Sequence, residues 1–144
     1  MKRILKVFLA VLVMVFMSGC KKNFNAITYT KFIENFKDKP GYLVTNQTLK
    51  YEEQFERCYE VSKDNIQFLY YEFKSEDEAK EYITKYYSNR KRYHFKNKNN
   101  YIKVKCTDGM YFYAIQIDKT IIIGDSPNKK NKREIKKVFK ELGY

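Results

Sequence analysis

An α+β fold is the class that this 144-residue sequence predicts. Three observations carry it. Asp108-Gly109 between two alternating arms is a strong hairpin signal. Ser75 with Glu78 forms a capping box ahead of Ala79, Tyr82, Ile83, Tyr86 and Tyr87, which recur at helical spacing. The elements run helix, three strands, helix, three strands, helix, which predicts an antiparallel sheet of about five to six strands with helices on one face.

The first helix is expected near Thr28 to Lys37, with Thr28 as N-cap, Ile27 and Phe32 at staple positions, and Pro40-Gly41 as the stop. Tyr42 to Thr48 reads as extended. Phe55 to Ser62 and Ile66 to Phe73 read as a hairpin around Lys63-Asp64-Asn65, because aromatic and β-branched residues dominate both arms. On the second arm both parities are apolar, as in a central strand touched on both faces. The capped helix follows and ends near Asn89, giving way to a polar, basic stretch from Arg90 to Asn100.

Tyr101 to Thr107 and Met110 to Ile117 form the second hairpin, and Thr120 to Ile123 adds a third strand after Asp118-Lys119. The last helix starts either at Ser126-Pro127 or at Asn131, and Ile135, Val138, Phe139 and Leu142 line its core face. Phe36 to Tyr42 faintly echoes Phe139 to Tyr144, which raises the question of an internal duplication.

Residues ahead of this domain carry a different signal. A basic start with Lys2, Arg3 and Lys6 precedes an apolar run from Val7 to Met17, and the run closes on Met17-Ser18-Gly19-Cys20. Eleven unbroken apolar residues fall well short of the roughly 20 that span a bilayer. The tripartite pattern instead describes a cleaved signal. It resembles the signal peptide of a bacterial lipoprotein, of the kind found on small exported proteins of low-GC Gram-positive bacteria, although Met17 stands where leucine is most usual.

The resemblance implies that Met17, Ser18 and Gly19 are read by a lipoprotein signal peptidase. It further implies that the Cys20 thiol carries diacylglycerol and that the new amino terminus is often acylated as well. Residues 1–19 are then a signal peptide, 20–27 a lipidated cysteine and short tether, and 28–144 one globular domain on the outer face of the cytoplasmic membrane. Two or three acyl chains hold firmly, since each buried methylene contributes about 0.8 kcal/mol and one chain alone binds only marginally.

The formal charge is +12, and loss of Lys2, Arg3 and Lys6 leaves +9. Such a surface attracts polyanions. An exported chain meets anionic headgroups, phosphate-bearing wall polymer or extracellular DNA, and its compartment argues against intracellular nucleic acid. Abundant Lys, Asn, Ile, Tyr and Phe also fit an AT-rich coding sequence, so a plain solvated lysine face is the competing reading. With Cys20 committed to lipid, Cys58 and Cys106 remain as an even pair, which invites a disulfide in an exported chain. Their alternation points the other way: Cys106 falls in step with Ile102 and Val104, Cys58 with Glu56 and Glu60.

Catalytic chemistry needs a convergent set, and the inventory is thin. One histidine, His94, sits in the basic stretch without a nucleophile elbow or a reactive-cysteine context. No His or Cys spacing suits zinc, and no cofactor motif is present, so no metal or cofactor is expected. Glu76, Asp77 and Glu78 complement a helix dipole rather than form a carboxylate pair.

The densest remaining signal is basic. Arg90, Lys91, Arg92, Lys96 and Lys98 interleave with Tyr93, His94 and Phe95, a mixture in which cations contact phosphates while rings stack. A second cluster, Lys129, Lys130, Lys132 and Arg133, opens the last helix, where the macrodipole disfavours positive charge. The leading expectation is a non-catalytic, membrane-tethered binding or interaction module of the cell envelope, with an anionic envelope polymer or another envelope protein as its partner. The alternative is direct polyanion binding through these clusters, and a cell-surface hydrolase ranks last.

Overall fold

A seven-stranded antiparallel sheet forms the centre of the molecule. The computed structural model describes residues 24–98, 100–106 and 108–144; Met17, Ser18, Gly19 and Cys20 lie outside them. The elements are α1 (Tyr29–Lys37), β1 (Leu43–Asn46), β2 (Arg57–Lys63), β3 (Ile66–Glu72), α2 (Glu76–Tyr87), β4 (His94–Lys98), β5 (Tyr101–Cys106), β6 (Tyr111–Ile117), β7 (Thr120–Ser126) and α3 (Lys132–Glu141). Short 3-10 turns cover Thr48–Tyr51 and Lys129–Asn131.

Local chemistry explains the boundaries. Thr28 Oγ1 accepts from Lys31 N at 3.3 Å to open α1, and Ser75 Oγ accepts from Glu78 N at 3.2 Å to open α2. Asp64 and Asp118 stand first in the two-residue turns between Lys63 and Ile66 and between Ile117 and Thr120. Both have positive φ, 49° and 48°, a region aspartate tolerates better than most side chains. Ahead of α3, Asn128 Oδ1 accepts from Lys130 N at 3.0 Å, so the chain turns through the 3-10 segment before the helix begins after Asn131.

Two expectations about the sheet and its covering helices require correction. The sheet has seven strands rather than five or six, because β4 forms inside the stretch from Arg90 to Asn100. Only Phe95 supplies β4 with an apolar side chain that packs on the core, so the alternation that marks a strand is nearly absent. Lysines at this sheet edge are also what keeps an edge from pairing further.

The helices, moreover, cover both faces. Phe32 and Phe36 of α1 and Ile135, Val138 and Phe139 of α3 pack with Val61, Phe68, Tyr70, Ile115 and Ile122. Ala79 and Ile83 of α2 pack on the opposite face with Cys58, Val104, Ala114, Ile121 and Ile123. Strand side chains alternate between faces, so the two sets cannot share a layer.

The sheet order, β1-β2-β3-β7-β6-β5-β4, joins two meanders through their last strands, β3 and β7. A two-fold axis relating those antiparallel strands would run through the sheet and keep each face on its own side. Since α2 and α3 follow β3 and β7 on opposite faces, the arrangement is not that of a duplicated unit.

The thiols of Cys58 and Cys106 are both buried and both free. They lie on the same face, contrary to the alternation argument, because Glu60 does share the Cys58 face but that face is covered by α2 and only partly exposed at Glu60. Three strands separate β2 from β5, however, and the register sets Cys58 level with Ile102 and not with Cys106, so the two residues lie more than roughly 19 Å apart at about 4.8 Å per strand. A disulfide requires Cα atoms within about 7 Å. The even pair is therefore two small core residues.

Candidate functional site

Strand register decides where the basic residues meet. Leu43 pairs with Ser62, Lys63 with Ile66, Gln67 with Asp125, Tyr111 with Ser126, Cys106 with Phe112, and His94 with Lys105. Each of these residues is at or next to a strand terminus, so all of them mark one end of the sheet. The connections emerging there include Lys39 to Gly41, Arg90 to Tyr93, Asp108 to Met110, and Lys129 to Arg133. Two clusters that lie about forty residues apart in sequence thus share one pole of the molecule.

Two clefts open at this basic pole. The first, of about 480 Å³, lies between the α1–β1 connection, the end of β2 and α3 with the turn before it, and Lys39, Tyr42, Lys63, Lys130, Arg133 and Lys137 are among its lining residues. Its interior is an ion-pair network. Lys63 Nζ stands 3.2 Å from Glu134 Oε1, Lys39 pairs with Glu141, and Lys137 reaches Glu141 at 4.0 Å. Tyr42 donates its hydroxyl to Glu134 Oε1 at 2.6 Å. That bond, with help from Lys63, holds the Glu134 carboxyl below its ordinary range against the opposing effect of burial. Lys130 and Arg133 line the cleft without an ion pair among the described residues.

The second cleft, of about 510 Å³, is lined by Arg90, Lys91, Arg92, Tyr93 and Asp108. All three cations are exposed, and none has a carboxylate within salt-bridge distance among the described residues. Tyr93 is fixed behind them by ring contacts with Tyr87 and Phe112, at 5.2 Å each between centroids. The arrangement offers long, solvated cations around a packed aromatic wall, which suits phosphate groups on a flexible polymer.

The remaining basic residues are placed differently. Lys96 and Lys98 are exposed on β4, with Lys96 directly opposite Lys103 and Lys98 opposite Tyr101. They lead away from the basic pole along the sheet edge. Lys132 lies with its Nζ 5.8 Å from the Tyr111 ring centroid, beside the second cluster. Lys39 and Lys63 join the site although neither belongs to a basic run, since only the tertiary fold brings them to Lys130 and Arg133.

His94 is exposed on β4 and faces Lys105. The most perturbed carboxyl is Asp125, half-buried on the face that carries α2, where burial and then the charge of Glu60 push it up to about 6. Among the described residues no group of three or more His, Cys, Asp or Glu side chains is arranged to hold a metal ion, and no helix is long and apolar enough to cross a membrane.

No protein-family model matches the chain. No curated protein matches it either.

Proposed function

We propose that this chain is a membrane-tethered module of the cell envelope, held by an acylated Cys20, that binds a polyanion at its basic pole without catalysing a reaction. The tether rests on the lipoprotein-type sequence ending at Cys20. The binding reading rests on one observation above all: strand register gathers Arg90, Lys91, Arg92, Lys130 and Arg133 at one end of the sheet with no carboxylate paired to them among the described residues. Unpaired cations retain their full attraction for phosphate, and their counterion release favours an extended anion over a single small one.

The test is a titration of the full chain with a soluble polyphosphate, followed by the combined variant Arg90→Ser, Lys91→Ser, Arg92→Ser. Binding should weaken at least about tenfold at low salt, because three phosphate contacts and their released counterions are lost together. Unchanged affinity in a variant that retains the wild-type fold would remove the basic pole as the binding site.

A further inference from the structure

The chain enters the domain at the pole opposite the basic one. Phe24 and Ile27 are buried at 6% and 7% exposure. The Phe24 ring meets Tyr101 at 4.9 Å and Tyr144 at 5.8 Å between centroids, and its carbonyl accepts from Asn100 Nδ2 at 3.4 Å. Tyr144 donates its hydroxyl to Asn25 O at 3.0 Å, and Tyr70 donates to Ile27 O at 3.2 Å. Asn100 and Tyr101 lie at the β4–β5 turn, the end of that hairpin away from His94 and Lys105. The entry segment is therefore pinned by rings and hydrogen bonds to one pole, with the Arg90 and Lys130 clusters at the other.

We infer that the domain stands on the membrane by this entry pole and holds its basic pole away from the bilayer. Its ligand is then a phosphate-bearing polymer lying beyond the membrane and not the headgroups beneath it. This inference rests on the proposed lipid tether and on the proposed polyanion site, and it decides between the sources of anion that the site chemistry alone leaves open.

Reach is the first argument. Phe24 and Ile27 pack into the core, so the tether ends before Phe24 and not at residue 27 as the sequence suggests. Three residues then separate Cys20 from Phe24, and the tether spans about 14 Å at most, taking roughly 3.5 Å per residue. The seven residues of β6 alone span about 23 Å at roughly 3.3 Å each, and the basic turns project beyond them. A tether shorter than the sheet cannot let the domain invert.

Charge is the second argument. At the entry pole Glu56 and Glu72 are matched by Lys119, at 2.7 and 3.0 Å, and Arg57 lies 3.7 Å from Glu72. Asp118 projects from the β6–β7 turn of the same pole. Lys98 beside the β4–β5 turn and Lys103, with its Nζ 3.9 Å from the Phe24 ring centroid, add positive charge at this pole, but the carboxylates offset it, whereas Arg90, Lys91 and Arg92 have no carboxylate paired to them among the described residues.

The chain contains no tryptophan, so a single introduced one reports on a single place. Full-length lipidated protein would be placed in phosphatidylglycerol and phosphatidylcholine vesicles containing brominated lipid. It would carry either Lys98→Trp at the entry side or Asn65→Trp in the β2–β3 turn of the basic pole. The orientation requires that the Lys98→Trp chain lose most of its indole emission to the brominated lipid while the Asn65→Trp chain keeps its own. It further requires that polyphosphate added outside bind the vesicle-held protein as well as it binds the detergent-solubilised chain. Quenching in the Asn65→Trp chain, or loss of polyphosphate binding on vesicles by a protein that binds it in detergent, would overturn the orientation. Failure of the solubilised chain to bind polyphosphate would instead overturn the binding-site reading, with the contrast between the two indole positions still deciding the orientation.

Discussion

The hydroxyl of Tyr42 bonds to Oε1 of Glu134 across 2.6 Å, tying the segment just before β1 to the first turn of α3. It is the strongest single influence on the Glu134 carboxyl, which it holds below the ordinary range. A depressed carboxylate contributes stability that is present above its unfolded pKa and lost as pH falls through the folded one. Tyr42→Phe should therefore move the Glu134 titration upward toward the ordinary carboxylate range. Stability at neutral pH should fall by about 1 kcal/mol, and the difference from wild type should shrink in acid. Carbon-detected NMR titration of Glu134 with urea unfolding at two pH values measures both effects.

Asp125 behaves in the opposite sense. Its carboxyl is pushed up to about 6 by burial first and Glu60 second, so the folded state holds the proton more tightly than the unfolded one. Ionised Asp125 then destabilises the fold above about pH 6, and the penalty is relieved as pH falls from there toward the unfolded value. A tenfold difference in proton affinity between the two states corresponds to about 1.4 kcal/mol, and partial exposure of the side chain reduces the whole effect. Asp125→Asn should thus raise stability at pH 7 by about 1–2 kcal/mol. It should gain little near pH 4, and thermal melts across that window check the sign.

Gly124 on β7 is held by packing and not by backbone conformation. A Cβ there would lie 2.7 Å from Phe139 Cε2, 2.9 Å from Ile135 Cγ2 and 3.0 Å from Phe68 Cε1. Gly124→Ala should cost about 1–3 kcal/mol through overpacking between β7 and α3, measured by chemical denaturation. Gly109 in the β5–β6 turn, with open space around it, would respond for a different reason, since its φ is 74°.

Much of this architecture was legible in the chain, and the residues show why the rest was not. The capping pair Ser75 and Glu78, the Asp64 and Asp118 turns and the α3 stripe of Ile135, Val138 and Phe139 are local signals, and each element formed where its signal lay. β4 was hidden because an edge strand with one core-packed apolar residue leaves no alternation to detect. Coverage of both faces was legible in principle: Ile121, Ile122 and Ile123 are all buried, and consecutive buried residues in a strand require a layer on each side. The basic pole was only half visible, since Lys39 and Lys63 reach the first cleft through tertiary contacts that no run of charge announces.

The two core thiols make a sharper test than an assay for a disulfide alone. Burial pushes Cys58 up to about 11, Glu60 adds to the effect, and little thiolate is present at neutral pH. With the Cys20 sulfur alkylated, the mature chain should give two titratable thiols in denaturant and almost none when folded. Two reactive thiols in the folded state, or none in denaturant without reductant, would contradict the placement of Cys58 and Cys106.

Membrane attachment depends on Cys20 in this account. Cys20→Ala should leave an uncleaved or released chain lacking the diacylglycerol mass, with most of it lost from the tightly held membrane fraction on alkaline washing. Wild type should remain there, because its acyl chains together exceed the marginal hold of one.

The salt dependence of polyanion binding tests the central claim most directly. Polyphosphate affinity of the full chain should fall linearly on a log–log plot against salt concentration. Replacing Arg90, Lys91 and Arg92 by Ser should flatten the slope by about 2, at roughly 0.7 per lost contact with a single-stranded polyanion. A slope near zero in the wild-type chain, or a slope that the triple variant leaves unchanged, would contradict a polyanion site at the basic pole.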